Sequence, residues 1–574
     1  MSRRSILLIL FIIVIGPLCG SIRVVEVEAS GTIYIRADGS VDPPTANITS
    51  SDNVTYALIS SINESIVIER NSIVVDGKGY TVEGLGSGIG IDLSGQNDVT
   101  IRNLVIRAFE RGVVLDDSTK NTITDNTVLD NEYGIVLYGS SSNNTLRHND
   151  VSNNSYNLGV FTAVASGYFQ DIDDSNTVNG KPVYYWVDRR DMTVPLDAGY
   201  VVLVNCTRIT VKDLNLAHNV QGIALAFTTN SIIANNSMAN NFDGIRLDHS
   251  SNTNSISGNN ITANTCYGIR FFHDPSAGAM STINVRSSEY VSQLDGPSCN
   301  NTIYGNNITD NGSGIRLDYP INNTISANNV LNNSDEGIGL YGSSSNNIVS
   351  GNNVINNYYG IWFYQSYSNW IFNNNFVDNT PQVYPSFANN FWNTSYPSGG
   401  NYWSPQYSGT DVYSGVHQNE TGSDGIGDTP YVQDDYPLMG RITEFNATSE
   451  HKVYTICNST ISELQFNGTA ISFDVVGENG TTGFCRITIP TSLMNETYRV
   501  FVNGTEILPA PMPLPCSNRT YNYLYFAYQH STKEVVIILE LPSLILLPLF
   551  MLSTLLATVF YGRKRKVKSA RRLS

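Results

Sequence analysis

Charge is scarce in this chain. Only 14% of its 574 residues are Asp, Glu, Lys or Arg, and with 41% hydrophobic residues it can bury a large core instead of remaining disordered. Helix formers are thin as well: Ile, Val, Thr and Tyr dominate over Ala, Leu, Glu and Lys, beside 46 Gly and 33 Tyr, a composition that suits strands. The 7 His and 8 Met are scattered, with no His-X-His or Met-rich box, so copper, which wants clustered soft donors, is not expected as a cofactor. No P-loop, nucleophile elbow or zinc motif occurs. Net positive charge is confined to the ends. Arg3, Arg4 and seven Lys or Arg between Arg563 and Arg572 lie at the ends, and setting these nine aside moves the net charge from −17 to about −26. So acidic a body repels phosphates, which excludes nucleic acid as a partner.

The ends carry the long apolar runs. Arg3 and Arg4 precede Ile6 to Ile15 and then small residues, the order of a secretory signal, placed at 1–29. Residues 541–562 are apolar enough to form one transmembrane helix, and the basic tail 563–574 then stays in the cytoplasm. The expected location is the cell surface, single-pass, with the N-terminal body outside. Roughly twenty Asn-X-Ser/Thr acceptors, Asn47, Asn205, Asn467 and Asn503 among them, are usable only there. Of 7 Cys, Cys19 lies in the signal. Cys266 with Cys299 and Cys457 with Cys485 are the preferred pairs, because each brackets one local segment; Cys206 and Cys516 have no obvious mate, and connectivity stays open.

Between the ends the chain repeats itself. Gly followed by an apolar residue recurs at Gly90, Gly112 and Gly134, at Gly222, Gly244 and Gly268, and at Gly314, Gly337 and Gly360, a period of 22 to 24 residues. "LYGSSSNN" stands at Leu137 to Asn144 and again at Leu340 to Asn347. Between the glycines, Ile, Val or Leu alternates with polar residues, and Asn or Gly marks each corner. The dense leucine frame of a leucine-rich repeat and the 3.6-residue rhythm of helical repeats are both absent. Three short strands and three turns use up such a period, with each rung about 4.8 Å above the last. The repeated asparagines, such as Asn121, Asn126 and Asn131, or Asn346, Asn352 and Asn357, are expected to turn corners and to bond the asparagine of the next rung.

The stretches "TIYIRADGSVDPP", "SIVVDGKGYTVEG", "DIDDSNTVNGKPVYYW", "DAGYVVLVNCTRITVKDLNL" and "NYWSPQYSGTDVYSG…SDGIGDTPYVQDDYPLM" carry a resemblance. The chain resembles NosD-type proteins with carbohydrate-binding and sugar-hydrolase repeats, especially archaeal surface members. The resemblance implies an all-β fold: a right-handed parallel β-helix, like that of pectate lyases. A small β-sandwich at 441–540 follows, from its short strands and turns. The expected organisation is an N-terminal cap and first strands at 30–86, the β-helix at 87–380 with insertions at 162–199 and 273–298, and a C-terminal cap at 381–440.

Aligning the rungs on their glycines sends the second and fourth residues after each one outward. This gives Arg246 and Asp248, Arg270 and Phe272, Arg316 and Asp318, Gly339 and Tyr341, Trp362 and Tyr364. Three stacked arginines repel, so the aspartates, with His273 and Asp274 beside them, are expected to pair with them. The plain expectation for such a face is a solvated, self-neutralising surface. The functional one is a groove for an extracellular glycan or envelope component, in which rings stack on sugar faces while Arg and Asp bond hydroxyls or uronates. The substrate-binding candidates are Arg246, His273, Asp274, Arg316, Tyr341, Trp362 and Tyr364. For catalysis the candidates are Asp248 and Asp318, whose two-rung separation is compatible with a hydrolase pair, and Arg270, which the resemblance allows as the base of a polysaccharide lyase. A metal-centre maturation role is the third reading that the resemblance leaves. Finally, "DGIGD" sets carboxylates around glycines as a calcium loop does, with Glu420, Asp424 and Asp428 as candidate ligands; an acidic turn is the alternative.

Overall fold

The computed structural model describes residues 31–273, 275, 296–385, 389–462, 464–494, 497–508 and 520–539. The expected signal, spanning segment and tail lie outside them, as does Asp274. Among the described residues no helix is long and apolar enough to cross a membrane. Two compact units divide the chain: residues 1–324, 328–345 and 362–365, and residues 325–327, 346–361 and 366–574.

The first unit is a parallel β-solenoid. One turn runs from the six-residue strand Asp243–Asp248 through the three-residue strands Ser255–Ser257 and Asn260–Thr262 to Tyr267–Phe272, which pairs in parallel with the strand that opened the turn, Ile245 opposite Ile269 and Leu247 opposite Phe271. Each short strand buries its central residue alone, so Ile233, Ile256 and Ile303 stack in register and Ile261 sits under Ile308, all fully buried. Burying one such side chain is worth about 1.5–3 kcal/mol, and no rung can supply its own cover.

The period's glycines mark where the chain enters the six-residue strand. A Cβ on Gly244 would lie 2.5 Å from the carbonyl of Gly268 and 2.5 Å from Ile261, so only glycine lets successive rungs come this close. The asparagines work in adjacent pairs. In Asn235-Asn236 and Asn332-Asn333 the first residue is exposed with φ near 55° and turns the corner. The second is buried in a ladder: Asn236, Asn259 and Asn306 each give a backbone N–H and a side-chain N–H to the Oδ1 of the next, the last of these to Asn328, at 2.9–3.0 Å. Asn121, Asn126, Asn131, Asn352 and Asn357 are ladder residues; Asn346, with φ 55°, is a corner.

The excursion after Phe161 is more than an insertion. It contributes a turn at Ala165–Tyr168 and then the strand Lys181–Val187, antiparallel to Thr177–Val178 and parallel to Tyr200–Val204. Through this hairpin a sheet of three-residue strands continues as the sheet of six-residue strands. The rungs beyond are therefore rephased.

In the second unit the ladder Asn352, Asn374, Asn401 ends on a different residue: Asp434 Oδ2 accepts the backbone N–H of Asn401 at 2.7 Å and the indole N–H of Trp403 at 3.0 Å. Two antiparallel sheets follow, one of Arg441–Asn446, Lys452–Cys457, Thr482–Pro490 and Tyr521–Gln529, the other built around Ala470–Val476, Lys533–Leu539 and Tyr498–Val502. Val453, Ile487 and Phe526 from the first share one apolar cluster with Ile471, Phe473, Val500 and Ile537 from the second. Contacts cross the sequence position 440/441 within this unit. Asn375 exchanges two hydrogen bonds with the Ile442 backbone, at 2.8 and 2.9 Å. Fully buried Arg486 gives its Nη1 to the Asp424 carbonyl at 2.5 Å and its Nη2 to the Pro397 carbonyl.

Candidate functional site

The outward face of the six-residue strands in the first unit gathers most of the candidates. Arg246, Arg270, Arg316 and Gly339 are successive partners in one column, and Asp318 stands opposite Tyr341 in another. The expected pairing of arginine with aspartate is present: Arg246 reaches Asp248 at 2.8 Å, Arg316 reaches Asp318 at 3.0 Å and Arg270 reaches Asp318 at 3.3 Å. Aromatic rings interleave with the guanidinium groups. Arg246 lies over Phe272 at 5.1 Å, Arg270 over Phe272 and Tyr267 at 4.5 and 4.6 Å, and Arg316 over Tyr341 at 3.9 Å. The rings offer their negative faces to cations on the same or the neighbouring rung, which offsets the like-charge repulsion.

This face is not the solvated surface that the sequence suggests. Arg246, Asp248 and Arg270 are buried. The turn at Ala165–Tyr168 covers the first two: the Tyr168 hydroxyl donates to Asp248 Oδ2, and the Thr162 carbonyl accepts from Arg246 Nη2 at 3.5 Å. Burial, with the Asp248 carboxylate beside it, pushes the Tyr168 hydroxyl well above its ordinary range. Asp248 and Asp318 therefore do not form an open carboxylate pair, since Asp248 is 0% exposed and sealed under a tyrosine. Arg270 is engaged by Asp318 and two rings.

Beyond Asp318 the face opens. Tyr341, Trp362 and Tyr364 form a set of tilted rings, Tyr341 lying 6.1 Å from Trp362 at 31° and 6.3 Å from Tyr364 at 34°. Tyr364 is 55% exposed. His273 meets Tyr319 edge-on at 6.1 Å, apart from these rings in the register.

Sequence reasoning missed the residue immediately before each glycine. Asp243, Tyr267, Ser313 and Glu336 fall in the registers of successive strands. Asp243 lies 3.8 Å from Arg246. Glu336 is 0% exposed, its carboxylate buried beside Asp335 and Arg316. Burial, with Asp335 adding to it and Arg316 opposing it, pushes its carboxyl up to about 8. It fills the space that Gly339 leaves: a Cβ there would lie 2.9 Å from Glu336 Oε1 and 2.6 Å from the Tyr341 ring. The signal was available, because the glycine spacing aligns these positions as surely as the two that follow.

In the second unit the three proposed calcium ligands do not converge. Asp428 accepts from Thr410 Oγ1 and from the backbone of Val412 and Tyr413 at 2.8–3.0 Å. Asp424 Oδ1 accepts from Ile426 N at 3.0 Å, while Glu420 is exposed in the short strand Glu420–Thr421. The carboxylate that faces Asp424 is Asp411, which accepts the N–H groups of Asp424 and Gly425 at 2.9 Å. Burial pushes Asp411 up to about 7. Among the described residues no group of three His, Cys, Asp or Glu could hold a metal ion.

Nor does the structure unite the first preferred cysteine pair. Cys266 precedes the strand Tyr267–Phe272 and takes the Phe242 carbonyl at 2.8 Å, whereas Cys299 follows the excursion and stacks beside Asn252, two corners separated by a six-residue strand of about 20 Å. Cys299 is a thiol. Cys457 and Cys485 do stand directly opposite each other on adjacent antiparallel strands, also as thiols.

A rung-repeat β-solenoid with glycine entries and asparagine ladders defines the class. The chain belongs to the family described as periplasmic copper-binding protein (NosD), which matches residues 27–182, 191–283 and 280–409. No curated protein matches it. Among solved structures, the periplasmic alginate epimerase AlgG shares 12% identity over 64% of this chain and 83% of its own, with a TM-score of 0.27. The Dettilon tailspike protein shares 12% over 88% and 93%, with a TM-score of 0.26. The A-module of the Azotobacter vinelandii mannuronan C-5 epimerase AlgE6 shares 13% over 63% and 87%, with a TM-score of 0.24. Likenesses at this level carry nothing about chemistry. Among the described residues the copper in the family's description meets no fitting donor set: His249 is stacked on Phe227, His530 is held between Ser459 and Thr481, and no trio of His, Cys, Asp or Glu gathers.

Proposed function

We propose that this protein is an exported, surface-held β-solenoid that binds a glycan, and that Tyr341, Trp362 and Tyr364 are its sugar platform. The observation that carries the reading is the set of three tilted rings on two adjacent rungs, with Tyr364 more than half exposed and the Arg316 guanidinium over the Tyr341 ring. Rings so placed stack on the apolar faces of pyranoses, and each such contact is worth about 0.5–1.5 kcal/mol beyond area burial. Arg316 adds attraction for an acidic sugar. The buried Arg246, Asp248 and Arg270 then flank the platform on earlier rungs of the same face. They do not act on the bond of a substrate, so binding without turnover is the expected activity.

A glycan array spanning neutral and acidic polysaccharides tests this. The full-length chain should be retained on at least one class and release no reducing ends or unsaturated products. Trp362→Ala and Tyr364→Ala should each weaken retention about tenfold, the loss of roughly one stacking contact. Unchanged retention in both variants refutes the platform.

A further inference from the structure

The C-terminal sheets hold a polar chain that the glycan reading does not use. Cys457 closes the strand Lys452–Cys457, and Cys485 stands opposite it in Thr482–Pro490. Around the Cys457 sulfur are three further partners: the Phe484 carbonyl, which accepts from the thiol at 2.9 Å, the Ser459 backbone N–H, which donates to the sulfur at 3.3 Å, and the Tyr528 hydroxyl at 3.4 Å. From Tyr528 the chain goes on. Its hydroxyl meets Ser459 Oγ at 2.7 Å, Ser459 Oγ meets His530 Nε2 at 2.7 Å, and His530 Nδ1 meets the hydroxyl of Thr481, which is exposed. Glycine is built in around the imidazole. A Cβ on Gly477 would sit 2.2 Å from His530 Cδ2, and one on Gly483 would sit 2.6 Å from it.

We propose that Cys457 and Cys485 are a redox couple, with Cys457 as the reacting thiol and Tyr528, Ser459 and His530 as the positioning residues that carry its proton to the surface. N–H and O–H donors around a sulfur favour the thiolate, which is the nucleophile of thiol–disulfide exchange. The asymmetry between the two thiols agrees with this. The contact with Cys485 and the donors hold Cys457 down to about 7, whereas burial pushes Cys485 far above the ordinary range. In the step itself the Cys457 thiolate attacks one sulfur of a small-molecule disulfide, and the departing thiolate takes up a proton. Cys485 then gives its proton away and attacks the Cys457 side of the mixed disulfide, releasing the second thiolate. The two protein thiols are oxidised by two electrons, and the disulfide oxidant is reduced to two thiols.

The bond would act on the rest of the second unit. Arg486 is the next residue after Cys485, and its guanidinium is what reaches the Asp424 and Pro397 carbonyls. Cross-linking fixes the strand that carries it.

The test uses the reduced full-length chain, oxidised glutathione as the oxidant, alkylation of the remaining thiols and peptide mapping by mass spectrometry. A Cys457–Cys485 link with a 2 Da loss is expected, passing through glutathione on Cys457. Tyr528→Phe and Ser459→Ala should slow its formation about tenfold, which corresponds to about one unit in thiolate availability, and Ser459→Thr should restore the rate. Cys485→Ser should trap glutathione on Cys457. Both cysteines recovered alkylated, or Cys457 linked to Cys516, overturns the couple. Unchanged rates in Tyr528→Phe and Ser459→Ala, with circular dichroism showing both folded, overturn the proton path.

Discussion

Truncating one rung of the asparagine ladder is the sharpest test of what holds the solenoid. In Asn306→Ala the lost amide oxygen leaves two buried donors of Asn259 without their acceptor, the backbone N–H at 3.0 Å and the side-chain N–H at 2.9 Å. The lost amide nitrogen also deserts the Ile256 carbonyl and Asn328 Oδ1, each at 2.9 Å. An orphaned buried polar group costs about 1–3 kcal/mol. With two donors stranded, and with Asn328 Oδ1 still accepting the Asn306 backbone N–H, the total comes to about 3–5 kcal/mol. The control is Asn332→Gly, at an exposed corner with φ 55°, where glycine adopts the same backbone and the change should stay within about 1 kcal/mol. Urea unfolding of both variants, followed by fluorescence, gives the difference. Hydrogen exchange supplies an independent reading, since the Asn259 amide should lose its protection only in Asn306→Ala. If the two substitutions cost the same, or if Asn259 stays protected, the ladder is ornament and the stacked Ile and Val alone hold the rungs.

Tyr168→Phe removes the hydroxyl that seals Asp248 and should cost about 1.5–3 kcal/mol, the range for a hydrogen bond to a charged group; hydrogen exchange should rise between residues 162 and 170, and a change under about 0.5 kcal/mol refutes the seal. Asp411 and Asp434 are each pushed from 3.8 to about 7 in the folded chain, first by burial. The folded state therefore holds protons that the unfolded state has released, and the stability they contribute is full below about 3.8 and lost as pH rises through 7. Thermal melts should show the second unit with a higher Tm at pH 5 than at pH 8, and a Tm that rises over that interval contradicts the assignment. Calcium titration calorimetry checks the Glu420, Asp424 and Asp428 expectation: with Asp428 already bonded to Thr410, Val412 and Tyr413, no heat is expected below about millimolar calcium, and micromolar binding would show that these contacts give way.

The solenoid was legible because its constraints are local and repeated. Glycine at each entry answers a close approach that recurs every rung, and paired asparagines answer a corner and a ladder, so spacing alone locates both. What escaped were contacts between parts far apart in sequence. Tyr168 covers Asp248 across 80 residues, and nothing in the excursion's composition marks it as the cover of a particular rung. The hairpin at Lys181–Val187 rephases the rungs, a change that a glycine count steps over. Arg486 reads as one charged residue in a strand, yet its partners are carbonyls, which leave no trace in the side-chain pattern. Glu336 and Asp243 could have been found, because they occupy a fixed offset from the same glycines; the alternation argument simply began one residue too late.

The ladder's end at Asp434 has a consequence for how long such a molecule is. A stack in which every turn offers its successor the same two protons contains no instruction to stop, and in principle it would accept copies of itself without limit. A carboxylate can receive those protons but has no amide hydrogen to pass along, so Asp434 is punctuation. Whole 22- to 24-residue paragraphs can be spliced in or deleted ahead of it while that full stop keeps its meaning. Reach, in a protein of this kind, is a quantity that duplication in the gene can reset in steps of one turn.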